Sequence, residues 1–306
     1  MPKTFLADRG VVKVVGEDAR PFLQNLVTSH VENLSAGEAR WFGLLTPQGK
    51  ILFDGLAVAV PQERGGGFLL DVARDQAGAL AKRLNFYKLR ARVIVEDLSE
   101  TLGIGVAWGG DAPPQGLGLA FADPRLATLG TRIVAERERV AALGEDALGE
   151  DALGKDALGK DALAWHAHRI GLGVPEGGRD FPWNDAFPHE VLMDQLDGVA
   201  FDKGCYVGQE VVSRMHHRKT ARTRIVPVVF AGAAPPEGAE VLAGGKVSGR
   251  IGSVAAGRAL ASLRLDRAAE ALAAGEPITA DGVALTLDKP AFIRFPFPGE
   301  EETPHE

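Results

Sequence analysis

Cysteine is almost missing: Cys205 is the single one in 306 residues. No disulfide can close within the chain, and no metal site can be built from its cysteines alone. Long apolar runs are missing as well. The longest, such as 55–61, fall far short of the about 20 residues that a membrane helix needs. The first residues hold no extended apolar core, so they do not read as a secretory signal, and a cytoplasmic location is the expectation. An excess of positive charge is also lacking. Lys and Arg number 34 against 41 Asp and Glu, a net charge of −7, which argues against non-specific grip on nucleic acid; direct RNA binding is not expected. No G-x-G-x-x-G follows a strand, no G-x-x-x-x-G-K-[ST] is present and no G-x-S-x-G elbow occurs, so dinucleotide, P-loop and serine-hydrolase readings have no support.

What is present is an ordinary globular composition, with 45% hydrophobic and 25% charged residues, enough for two or three domains at this length. Strand-like segments at 11–15, 41–45, 51–60, 68–72, 93–95 and 102–106 mix with single helices. One helix opens at Glu17-Asp18-Ala19-Arg20-Pro21, with acids and a proline suited to a first turn. Another is expected over 75–89, with Leu80, Leu84 and Tyr87 at helical spacing. Thr46-Pro47-Gln48-Gly49-Lys50 is a turn sequence. This mixture predicts an α+β class. Residues 142–161 repeat a five-residue unit that matches neither helix nor strand periodicity and reads as a low-complexity surface insertion. After Arg222, seven short strand-like pieces (223–230, 241–242, 249–254, 262–265, 277–280, 283–287 and 291–294) predict a small barrel or sandwich.

The densest polar and glycine cluster surrounds the cysteine: Phe201-Asp202-Lys203-Gly204-Cys205-Tyr206-Val207-Gly208-Gln209-Glu210. A cation two residues away, Lys203, would favour thiolate over thiol. Gly204 and Gly208 permit close approach or unusual backbone geometry, and Gln209 and Glu210 add hydrogen-bonding groups. An inert core cysteine is the competing reading. His166, His168, His189, His216 and His217 offer partners for a Cys–His pair, but no nucleophile–base pair or metal-ligand spacing stands out. Arg214, Arg218, Lys219 and Arg222 make the stretch after the cysteine locally basic, as a solvated surface or as a meeting point for an anionic group.

Lys203-Gly204-Cys205-Tyr206-Val207-Gly208-Gln209-Glu210 resembles the K-G-C-[FY]-x-G-Q-E signature of the YgfZ family of folate-binding proteins, relatives of the glycine cleavage T-protein, an aminomethyltransferase. The segments 165–176, 187–190 and 198–201 fit the same family, and the resemblance spans nearly the whole chain outside the repeats. It implies a three-domain ring like the T-protein fold, two α+β domains and a C-terminal β-barrel. The implied parts are a discontinuous folate-binding domain (1–45 and 123–222), an inserted α+β domain (46–122) and the barrel (223–306). Tetrahydrofolate or a derivative would sit in the central hole. Trp165 would stack on the pterin, Glu190 would hydrogen-bond its amino group and Arg169 would pair with a folate carboxylate. Where some members carry a second folate-contacting tryptophan, this chain has Arg9. The implied role is assembly or repair of iron–sulfur clusters in client enzymes, tRNA-thiolating ones among them, through Cys205, with a transient cluster shared with a carrier or client protein. Two alternatives stand beside it: a folate-dependent aminomethyltransferase and a non-catalytic adaptor. Against the transferase, the strand end at 70–75 lacks the Asn-Ala pair of that class, and Asp75 reads as a helix N-cap.

Overall fold

A computed structural model describes residues 2–110, 116–143, 159–218 and 220–300. The five-residue repeats fall mostly on 144–158, outside the described residues.

A five-stranded antiparallel sheet forms the central wall. Its order is β3 (Ala39–Leu45), β4 (Ile51–Ala59), β5 (Phe68–Ala73), β2 (Arg9–Val15) and β6 (Ile94–Asp97). Side-chain alternation along these strands feeds two cores. Trp41, Leu56 and Val58 face one; Phe42, Ala57 and Ala59 face the other. The second core is closed by α1 (Ala19–Gln24) and α2 (Arg74–Tyr87), which contribute Ala19, Leu23, Ala77, Leu80, Ala81 and Leu84. The first core runs on into a four-stranded sheet of order β1 (Lys3–Leu6), β7 (Leu102–Ala107), β9 (Thr131–Glu136) and β8 (Leu119–Ala122), with α3 (Arg137–Ala141) packed on it. It continues through α4 (Lys160–Gly171) and the mostly irregular stretch 172–208 into the barrel.

The barrel is closed, in the order β10 (Thr223–Val229), β13 (Arg258–Arg264), β12 (Lys246–Ala255), β11 (Glu240–Ala243), β14 (Ile278–Ala280) and β15 (Val283–Leu287), with α6 (Leu265–Ala273) against it. Closure leaves no strand edge unpaired. The piece at 291–294 is a turn rather than a strand.

Two sequence expectations change. The boundary drawn at 45/46 falls inside the β3–β4 hairpin, where Leu45 pairs with Ile51, so one sheet draws on both sides of it. Asp75 is not the N-cap of α2; that position is Ala73, and Asp75 lies exposed in the first turn, where its charge suits the unpaired N–H groups.

Candidate functional site

The signature loop is held from three directions. Lys203 turns inward: its Nζ donates to the carbonyls of Gln24 and Val27, both at 2.6 Å, and of Ser29 at 3.1 Å. Gln24 ends α1, so the ammonium satisfies one carbonyl that the helix end leaves unpaired and two in the segment just beyond it. It also lies 5.2 Å from the centre of the Tyr206 ring. Burial lowers the Lys203 pKa to about 8. The charge expected to favour a thiolate at Cys205 is therefore committed to three backbone carbonyls, and the reading of Lys203 as a catalytic residue gives way to that of a strut. Tyr206 is buried next to it, and burial raises its pKa to about 12.

Beyond the cysteine, Gly208 has φ +81°, a backbone region that favours glycine, and a Cβ there would lie 2.5 Å from the Thr46 carbonyl oxygen. Gly49, φ +82°, meets the loop from the other side: its added Cβ would come within 2.9 Å of the Val211 Cβ. The 46–50 turn and the loop thus interlock through two glycines. Gly204 differs, since nothing lies within 4 Å of a Cβ there. The Gln209 amide donates to the Lys203 carbonyl at 3.4 Å. Glu210 faces solvent and pairs with Arg214 one turn along α5 (Gln209–Arg218). Between the buried Lys203 and Tyr206, Cys205 is exposed, with a free thiol.

The histidines divide. His216 stacks on Phe201 at 3.7 Å between ring centres, with His217 at its edge. His189 lies beneath this stack, 5.7 Å from Phe201 and 6.0 Å from His216. It is 2% exposed and neither ring nitrogen has a hydrogen-bond partner. Burial pushes its pKa down to about 4. The neighbouring Glu190 is half-buried; one oxygen accepts the Phe187 N–H at 2.9 Å, and burial raises its pKa.

The other residues assigned to folate by resemblance do not suit it. Trp165 is 1% exposed, with Trp108 edge-on at 5.5 Å and the Arg132 guanidinium 5.6 Å from its centre, so neither face is open to a pterin. Arg169, also 1% exposed, bonds Asp180 at 2.7 Å, the Ser253 hydroxyl at 2.8 Å and the Val174 carbonyl at 3.1 Å, with Glu176 at 3.2 Å. Four of its five N–H donors are engaged in this way, counting Nε towards His166 and Glu176, and the group is sealed from solvent. Arg9 is likewise buried, bonding Asp71 at 2.6 Å and Glu176 at 3.1 Å. Against the opposing push of burial, Arg169, His166, Arg9 and Arg179 hold the Glu176 carboxyl well below its usual range.

Among the described residues, one trio, Asp8, His166 and Glu176, brings metal-ligating atoms within 4.8 Å of one another. Arg169 Nε donates to His166 Nδ1 at 3.1 Å, which puts the imidazole proton on Nε2, the nitrogen facing Asp8 at 3.4 Å. With Arg9, Arg169 and Arg179 also crowding the carboxylates of Asp8 and Glu176, three cations already answer two acids, which disfavours a further cation at the trio.

Asp54 went unnoticed in the sequence. It is partly exposed on β4, receives the indole N–H groups of Trp41 at 3.1 Å and Trp183 at 3.3 Å, and burial raises its pKa. A lone carboxylate within an apolar strand is the signal that marks it.

The two wall sheets and the closing barrel place the chain in the fold class of the glycine cleavage T-protein. Its structure is similar to that of aminomethyltransferase T from Bartonella henselae at a TM-score of 0.70, covering 95% of this chain and 86% of that one; at 18% identity the likeness concerns the fold alone. Residues 222–295 match the CAF17 C-terminal beta-barrel domain. The chain is 34% identical over 241 residues to the mitochondrial iron–sulfur cluster assembly factor IBA57 homolog of Mycosarcoma maydis, covering 74% of this chain and 57% of that protein. Against the human protein named mitochondrial iron–sulfur cluster assembly factor IBA57 it is 33% identical over 251 residues, covering 76% and 67%. The chain belongs to the IBA57 family. It spans little more than half the length of its fungal relatives. The family shown is thus IBA57, with its CAF17-type barrel, where the signature suggested YgfZ. The cytoplasmic expectation is also corrected: these relatives are named as mitochondrial, which points away from the cytoplasm.

Proposed function

We propose that the chain is an accessory factor in iron–sulfur cluster assembly and that Cys205 is the residue through which it engages the cluster or a partner's sulfur. One observation carries this reading. The loop buries Lys203 and Tyr206, interlocks Gly208 with the 46–50 turn, and leaves Gly204 and the Cys205 thiol between them open. The names of the relatives support it. One thiolate does not hold a cluster, which takes about four ligands. With a single cysteine in the sequence, the other ligands come from a carrier or client protein. Purified chain, mixed with a cluster-loaded carrier, should form a complex whose visible absorption changes on contact, and Cys205→Ser should abolish the change while the carrier keeps its cluster. Equal behaviour of Cys205→Ser and wild type overturns the assignment.

Tetrahydrofolate belongs to the same proposal as a ligand, with Glu190 as its contact: a half-buried carboxyl with one oxygen tied to a backbone N–H leaves the other to accept from a pterin amino group. The ligand should raise the thermal midpoint of wild type and not of Glu190→Gln. No shift in wild type removes folate from the reading and leaves Cys205 untouched.

A further inference from the structure

We propose that the turn closing α2, with Phe86, Leu89 and Ile94 at its centre, is a docking surface for an acidic polypeptide. Six large apolar side chains are prominently exposed among the described residues, and three fall within these nine positions: Phe86 at 72%, Leu89 at 88% and Ile94 at 55%. Phe86 stands in the last turn of α2 and Leu89 in the turn just beyond its cap, Lys88.

Leu89 also has φ +43°, the left-handed region that helix ends normally give to glycine or asparagine. A leucine at that position usually repays the strain by packing back on the last helical turn. Here it is almost wholly in solvent, so the strain brings no packing within the chain.

The charge around these anchors is mainly positive, although Glu96 and Asp97 lie exposed further along the strand that Ile94 opens and Glu96 pairs with Lys13. Residues 82–94 hold five cations, Lys82, Arg83, Lys88, Arg90 and Arg92, and no acid, in a chain of net charge −7. Arg92 is engaged by Glu17 and Asp18, and Arg83 lies over the Tyr87 ring. Lys82, Lys88 and Arg90 have no acidic partner among the described residues. Ile94 opens β6, the last strand of the wall sheet, whose far side has no neighbouring strand. Within the chain the Val93 N–H already donates to the Ala91 carbonyl at 2.9 Å and the Asn85 amide to the Val95 carbonyl at 3.2 Å; the remaining outward backbone groups of this edge are ones that another polypeptide can use and a lipid or nucleic acid does not. Apolar anchors, a mainly basic surround and a strand edge only partly bonded within the chain together fit an acidic segment carrying apolar side chains.

This surface is independent of the reading of Cys205. The signature loop packs on the β3–β4 turn, at the other edge of the sheet, about 20 Å away at the usual strand spacing. The test is fluorescence anisotropy on the full chain with a labelled peptide of Glu, Asp, Leu and Phe. Phosphatidylserine vesicles, single-stranded DNA and the chain's own self-association serve as the other arms. The peptide should bind, lose affinity about tenfold in Phe86→Ser and in Leu89→Gly, and weaken in about 0.5 M salt. Leu89→Gly should hold or raise the thermal midpoint, because glycine suits that backbone, which separates docking from a structural role. The proposal is overturned if the peptide binds both variants as it binds wild type, or does not bind at all. It is equally overturned if vesicles, DNA or a second copy of the chain show the dependence on Phe86 and Leu89 instead.

Discussion

Charge is handled in opposite ways at the arginine–carboxylate junction and at the signature loop. At the junction, Arg9 and Arg132 both bond Asp71 at 2.6 Å, and Arg132 and Arg125 both hold Asp123. These groups lie at or below 8% exposure and answer one another. At the loop one cation, Lys203, is buried on carbonyl oxygens and the reactive atom is left outside. The difference teaches where chemistry resides. Arg169, which the resemblance assigned to a folate carboxylate, and Lys203, which the sequence pointed to as catalytic, are spent on holding the fold, and the group left exposed is the thiol beside Lys203.

The sharpest way to break that contrast is to unbalance the junction. Asp71→Ala removes the carboxylate shared by Arg9 and Arg132 and leaves two buried guanidiniums short of a partner. We expect a loss of about 3–5 kcal/mol, read as a large fall in the urea midpoint or a failure to express as folded protein. A loss under about 1 kcal/mol would mean that water replaces the carboxylate and that the junction is no tighter than a surface ion pair.

The second effect depends on pH. His189 is neutral in the fold with a pKa near 4, whereas in the unfolded chain it titrates near 6.5. Between these values the unfolded state binds the extra proton, so stability falls as pH drops from 6.5 towards 4, by up to about 3 kcal/mol. Burial is the main cause, with Arg224 and His216 reinforcing it and Asp194 opposing. Urea titrations of wild type and His189→Leu across this range should differ in slope, the variant being flatter. Parallel slopes would show that His189 finds a hydrogen-bond partner in solution.

The third probes the interlock within the loop. Gly208→Ala places a Cβ against the Thr46 carbonyl at a positive φ and should cost about 1–3 kcal/mol. Gly204→Ala meets nothing within 4 Å and should stay within about 0.5 kcal/mol of wild type. Equal costs would show that the loop is not pinned where the two glycines meet.

These contrasts also explain what the sequence could disclose. The barrel was legible because its strands are short, apolar and punctuated by glycine, and α2 because Leu80, Leu84 and Tyr87 keep helical spacing. β9 was hidden by Arg132, a buried charge at the second position of the strand. α5 was hidden because Val212 is its one buried residue, and α6 because its inner face is made of Ala268 and Ala271. At the site, the signature singled out Cys205, but two positions of sequence separation said nothing of where the Lys203 ammonium points. Trp165 and Arg169 were misread for the same reason: the groups that enclose them, Trp108, Arg132, Asp180 and Ser253, lie at other places in the chain.

The smallest expected effect is the most telling. Cys205 is exposed, is the free cysteine of the chain and supports none of the contacts that hold its loop. Cys205→Ser should therefore leave the urea midpoint within about 0.5 kcal/mol of wild type, as surface substitutions usually do. Lys203, two residues away, is tied to three carbonyls, and Lys203→Met should both lower the midpoint and change the rate at which Cys205 reacts with iodoacetamide, since the strut that fixes the loop is gone. A measurable loss of stability in Cys205→Ser would place the thiol among the structural groups, and the division between a buried frame and a presented thiol would fail at the residue that defines it.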